Sequence, residues 1–160
     1  MVRSDGFSPL HNKQPADALK QQVLVIEDNL LSLKLIGAII TAQGYEVLEA
    51  TTGLLGLELA RRHRPALIVM DVRLPDISGL EVTRILKTDA DTADIAVLGT
   101  SAHAAAGDEA TQEAGYDAFM PKPITISDFI QVVHSLVIRG ATKRSSRVTE
   151  TAIDGPEPVA

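Results

Sequence analysis

The chain contains no cysteine. That absence removes disulfides and thiolate metal sites, and it fits a reducing compartment. Aromatic residues make up only 3%, so Leu, Ile, Val and Ala must build any core, and a hydrophobic content of 45% supplies enough of them. No apolar run approaches the roughly 20 residues that span a bilayer. The N-terminus, MVRSDGFSPLHNKQPADALKQQ, lacks the continuous apolar segment of a secretory signal. Excess positive charge is missing as well. A net charge of -6 argues against nucleic acid as a direct partner. These absences lead to the expectation of a soluble cytoplasmic protein with neither a membrane nor a nucleic acid as its target.

A length of 160 residues suits one domain with something left over at the ends. Residues 1–21 are polar, with Gly6, Pro9 and Pro15, and read as a flexible lead-in, with a short helix over Ala16–Gln21 an option. Residues 140–160 lack hydrophobic periodicity and carry Pro156 and Pro158, so they read as a disordered tail. The tail's basic residues Lys143, Arg144 and Arg147 read as a solvated stretch, with a weak docking patch as the alternative.

Residues 22–139 alternate regularly. Val23–Ile26 and Leu67–Met70 are short apolar runs of the kind found in strands buried on both faces. Further strands are expected at Glu46–Ala50, Ile95–Thr100 and Ala118–Met120. Between them lie helical stretches: one through Leu31, Leu35, Ile36, Ile39 and Ile40, stopped by Gly44; Thr52–Arg62; Ser78 through about Thr88, with Glu81 completing a capping pair; Ala105–Ala114; and Thr125–Val137. Five strands alternating with five helices imply an α/β fold, a doubly wound parallel sheet. Among (βα)5 sheets the flavodoxin-like strand order 2-1-3-4-5 leads.

Ligands of such sheets bind at the carboxyl ends of the strands. Glu27 and Asp28 end the first strand, Asp71 the third, and Thr100 and Ser101 the fourth, while Lys122 follows the fifth. Adjacent carboxylates repel one another, and a hard divalent cation such as Mg²⁺ relieves that repulsion through oxygen ligands alone. An Asp carboxylate can act as a nucleophile and form an acyl phosphate. A cation, an ammonium and a hydroxyl can then hold the phosphoryl oxygens.

The segments VLVIEDN, IVMDVRLPDISGLEV, GTSAHA and FMPKPI resemble the signature blocks of response-regulator receiver domains, over residues 23–138. The flavour of EDN, DVRLPDISGLEVTR and KPI is similar to single-domain cell-cycle and polarity regulators of alpha-proteobacteria. The resemblance implies that Asp71 takes a phosphoryl group from a sensor histidine kinase or a histidine phosphotransferase. It implies a Mg²⁺ bound by Asp28, Asp71 and the Arg73 backbone carbonyl, with Glu27 helping. It makes Ser101 the switching hydroxyl, with Thr100 as competitor, and Lys122 the phosphate partner. Lys122-Pro123 matches a cis peptide, and Phe119 a switch aromatic, although Phe119 is open to a second reading as plain core. Arg73 and His103 flank the path of an attacking water, and their bulk is expected to lengthen the life of the phosphate. His63 and His134 read as surface groups.

The resulting expectation is a stand-alone response regulator that acts on a downstream effector protein or relays its phosphate. The face made by the fourth helix, fifth strand and fifth helix would carry the signal. The wide apolar stripe of the last helix (Ile126, Phe129, Ile130, Val133, Leu136 and Val137) leaves room there for a homodimer. Two rivals stand beside this reading. A phosphohydrolase with an aspartyl nucleophile would carry a second Asp two residues on, where this chain has Arg73. A receiver used only as an unphosphorylated scaffold would not need Glu27, Asp28, Asp71, Ser101 and Lys122 intact.

Overall fold

A computed structural model describes residues 20–102 and 109–153. The N-terminal lead-in up to residue 19, His103 with the expected start of the fourth helix, and residues 154–160 lie outside them. Five strands, β1 (Gln22–Ile26), β2 (Glu46–Ala50), β3 (Leu67–Asp71), β4 (Ala96–Ser101) and β5 (Ala118–Pro121), alternate with five helices. The helices are α1 (Leu30–Ala42), α2 (Gly53–His63), α3 (Gly79–Thr88), α4 (Glu109–Ala114) and α5 (Ile126–Ile153). All strand pairs are parallel and the order is β2-β1-β3-β4-β5, as expected. No helix of the described residues is long and apolar enough to cross a membrane.

The period-2 alternation of a strand divides the apolar residues between two cores. Val23, Val25, Leu67, Val69 and Leu98 face α1 and α5, meeting Leu33, Ile36, Ile40, Phe129 and Val133. Leu24, Ile26, Ile68, Met70 and Val97 face α2 and α3, meeting Leu57, Ala60, Val82 and Leu86. Coverage on both faces explains why β1 and β3 are continuous apolar runs.

Three helices start at side-chain caps. Asn29, Thr52 and Ser78 accept hydrogen bonds from the backbone N–H groups of Ser32, Leu55 and Glu81. The α1 helix is apolar almost all round, so its period alone does not choose a face. Leu31 and Leu35 are 81% and 58% exposed, while Leu33, Ile36 and Ile40 are buried.

The largest departure is at the C-terminal end. The α5 helix does not stop near Val137 but continues to Ile153, so residues 140–153 are helical rather than a structureless tail. Each added residue extends a helix at the gain of one hydrogen bond, and no proline interrupts before Pro156. Gly140 passes close to the Ala66 carbonyl, where a Cβ would lie 3.3 Å away. Ile126 and Ile138, at 55% and 66% exposure, stand outside the core. His134 is more than a surface group, because its Nδ1 meets the Tyr45 hydroxyl at 2.6 Å and its Nε2 meets Gln43 Oε1 at 3.2 Å.

Candidate phosphoacceptor and metal site

The carboxyl edge of the sheet gathers the residues singled out by the sequence. Just beyond β1, Glu27 remains tied to the sheet, its N–H donating to the Ala50 carbonyl at 2.9 Å. Its carboxylate is 2% exposed and both oxygens are occupied. Oε1 accepts the Asn29 N–H at 3.1 Å, and Oε2 accepts Lys122 Nζ at 2.8 Å. Asp28, the next residue, is exposed. Asp71 ends β3 at 9% exposure. Its Oδ1 accepts the Arg73 N–H at 3.0 Å and its Oδ2 accepts Lys122 Nζ at 3.2 Å.

One oxygen from each of Glu27, Asp28 and Asp71 lies within 4.8 Å of the others. Three carboxylates so close, with oxygen donors only, suit a hard divalent cation. Burial raises the pKa of Glu27, the Lys122 and Asn29 bonds oppose that rise, and the charge of Asp71 adds to it. Burial also works against the Lys122 ammonium, but the Glu27 bond and the Asp71 charge outweigh it and hold its pKa above the ordinary lysine value. In this arrangement Lys122 is the counter-charge of two buried acids. Both oxygens of Glu27 and of Asp71 already have partners, and Asp28 is the member of the cluster that is exposed to solvent.

Backbone contacts fix the remaining pieces. The Val72 N–H donates to Thr100 O at 3.0 Å, and the Gly79 N–H to Val72 O at 2.8 Å, which folds the β3–α3 loop over Asp71. Gly79 is required there, because a Cβ would lie 2.5 Å from the Asp71 carbonyl oxygen. The Lys122 N–H donates to Ser101 O at 2.9 Å, and the Lys122-Pro123 peptide is cis. Ser101 is buried, while the neighbouring Thr100 turns its hydroxyl toward the Met70 carbonyl at 3.4 Å. Phe119 is partly buried and packs edge-to-face with Tyr116, ring centres 5.7 Å apart. Arg73 is exposed.

Two residues of this neighbourhood escaped the sequence reading. Asp76 reaches from the β3–α3 loop to the start of α2, where its two oxygens accept the Gly53 and Leu54 N–H groups at 2.8 Å each. The Leu54 bond leads in holding its pKa below the ordinary carboxylate value. A linear sequence carries no signal joining residue 76 to residue 53. Tyr116 is the other, and its neighbours come from three separate elements.

Comparisons with known proteins bear on the family and the fold. The family model of the response regulator receiver domain matches residues 23–134. The polar-differentiation response regulator DivK of Brucella anthropi is 43% identical over 118 residues, covering 73% of this chain and 96% of that protein. Its counterpart in Brucella ovis is 42% identical over the same shares. Among solved structures, the receiver domain of a Pseudomonas aeruginosa sensor histidine kinase, with a magnesium ion coordinated in its active-site cleft, is 27% identical with a TM-score of 0.68, covering 74% of this chain and 98% of that one. A CheY-like receiver protein from Methanospirillum hungatei, at 22% identity, TM-score 0.71 and 78% and 98% coverage, shares the fold.

Proposed function

The chain belongs to the response regulator receiver domain family, and from that premise we propose that Asp71 is its phosphoacceptor, working with a Mg²⁺ ion held by Asp28, Asp71 and the Arg73 carbonyl. As a member of that family it is a phosphoacceptor rather than a dedicated enzyme, and a histidine kinase is the partner the family implies. The observation that carries the proposal is the shared Lys122 ammonium, 2.8 Å from Glu27 and 3.2 Å from Asp71, in a cluster of three carboxylates.

In this reading an Asp71 oxygen attacks the phosphorus of a phosphohistidine. The new O–P bond forms as the P–N bond breaks, and the imidazole leaves. When bound, Mg²⁺ neutralises charge on the transferring group. Lys122 holds a second phosphoryl oxygen, leaving its contact with Asp71 Oδ2 for the phosphate that Asp71 now carries. The Ser101 hydroxyl bonds a third, and Glu27 keeps Lys122 aimed. Ser101 and Phe119 then shift the balance between two arrangements of the face formed by α4, β5 and α5, where a downstream effector or a second copy docks. Arg73 and His103 screen the phosphate from water. If replacing both by small polar residues leaves the autodephosphorylation rate unchanged, that screening role fails.

The test is incubation with Mg²⁺ and acetyl phosphate followed by intact-mass analysis. One stable phosphate on the wild type and none on Asp71→Asn is the expected result. Continuous phosphate release without a stable adduct would make the chain a phosphohydrolase. No adduct at all would make it a scaffold.

A further inference from the structure

Gly99 sits in β4 on the face that carries Val97 into the α2/α3 core, two residues before Ser101 and therefore on the same side as Ser101. It leaves a niche. A Cβ built there would lie 2.7 Å from Phe119 Cδ2 and 2.7 Å from Tyr116 Cε1, so the two rings fill the space between them. They touch edge-to-face. The Tyr116 ring is partly exposed, yet its hydroxyl is buried and has no hydrogen-bond partner among the described residues. Thr83 lies alongside and donates its own proton to the Gly79 carbonyl at 2.8 Å, which leaves its oxygen able to accept, but in this arrangement the Tyr116 hydroxyl does not close a hydrogen bond to it. The same Gly79 packs on the backbone of Asp71.

We propose that Tyr116 is a positioning residue of the switch: sharing the Gly99 niche, it sets where Phe119 rests, and its orphan hydroxyl finds a partner only in the phosphorylated arrangement. The inference rests on the receiver reading above. A buried hydroxyl without a partner raises the free energy of the arrangement that contains it. If the Ser101 side chain moves toward a phosphoryl group, as the receiver reading has it, it empties space on the strand face it shares with Gly99. The pair can then rearrange, and Tyr116 gains what it lacks. Burial raises the pKa of the Tyr116 hydroxyl, the nearby Thr83 side chain opposes that rise, and the charge of Asp71 adds to it, which places this group within electrostatic reach of the phosphoacceptor.

Composition makes the test direct. The chain has two tyrosines and no tryptophan, so Tyr45→Phe leaves Tyr116 as the only strong near-ultraviolet chromophore. Near-ultraviolet circular dichroism of that variant is recorded with Mg²⁺ before and after adding beryllofluoride, an aspartyl-phosphate mimic. The signal is expected to change, and to stay constant when Asp71→Asn is added. In the full chain, Tyr116→Phe keeps the ring and removes the hydroxyl. It is expected to bind beryllofluoride about tenfold more weakly by calorimetry, because the bond lost exists only in the bound form. Its melting temperature without ligand should be no lower than that of the wild type. A merely structural hydroxyl would move the melting temperature and leave the affinity alone. Affinity within about twofold of the wild type, or a Tyr116 spectrum that ignores a bound ligand, overturns the proposal and leaves the receiver reading standing. Failure of the wild type to bind beryllofluoride or take a phosphate from acetyl phosphate removes both.

Discussion

Replacing Lys122 by Met removes the one ammonium shared by two buried acids. At an effective dielectric of about 20, unit charges at these separations attract by about 6 kcal/mol for Glu27 and about 5 kcal/mol for Asp71. Those figures are gross. The lysine side chain is 24% exposed, and forming the pair costs hydration on both sides. Breaking a buried pair leaves a net loss of about 3–5 kcal/mol, which partial exposure brings down to about 2–3 kcal/mol. For a domain of this size that is a fall in Tm of about 10 °C.

The pH dependence has a definite sign. The pKa of Lys122 is raised, so its contribution is fully present below the ordinary lysine value and is lost as pH rises through the folded value. At neutral pH the variant therefore shows the whole deficit. Glu27, whose pKa is already raised, takes up a proton more readily once Lys122 is gone. Melting curves of wild type and Lys122→Met should accordingly approach one another as the pH falls from neutral into acid. Adding Glu27→Gln to the variant should recover most of the loss, because the stranded charge is gone. Mg²⁺ should bind Lys122→Met more tightly than the wild type, since cation and ammonium compete for the same carboxylates. A deficit under about 2 °C, one independent of pH, or one untouched by Glu27→Gln would show that Lys122 is not the counter-charge of this pocket.

Gly79→Ala places a Cβ 2.5 Å from the Asp71 carbonyl and 2.9 Å from Val72 Cα. Both are backbone atoms, so thermal melts should show a loss of about 1–3 kcal/mol, with acetyl-phosphate labelling of Asp71 reduced in parallel. Asp76→Ala should speed hydrogen exchange at the Gly53 and Leu54 amides, measured by NMR, while amides of β1 and β3 stay protected. Because the folded pKa of Asp76 is lowered, its support is present above the ordinary carboxylate value and lost as pH falls through the folded one. The difference between Asp76→Ala and wild type should therefore vanish in acid.

The helix faces show where local pattern ends. In α1 the apolar residues run almost all round, and only packing against β2 and α5 decided that Leu33 is buried and Leu35 is not. The α5 extension was missed because hydrophobic periodicity reports burial, whereas a helix that leaves the core needs only residues without proline. His134 looked like a surface group because its partners, Gln43 and Tyr45, lie far away in the chain.

The acidic and hydroxyl residues at the strand ends could be named from the linear chain, because a βα repeat places its loops at one edge by rule. The order of residue types thus determined the family and the sheet, and it put Glu27, Asp28, Asp71, Ser101 and Lys122 at or just beyond the strand ends. Which of them touch was decided only in three dimensions. Lys122 could have met any carboxylate of that edge, and its choice of Glu27 and Asp71 depends on the register of β5 against β4. The same holds for Asp76 on α2 and for Tyr116 over Gly99. Each joins elements whose relative placement follows from packing of the whole core, and distance along the chain carries no trace of it.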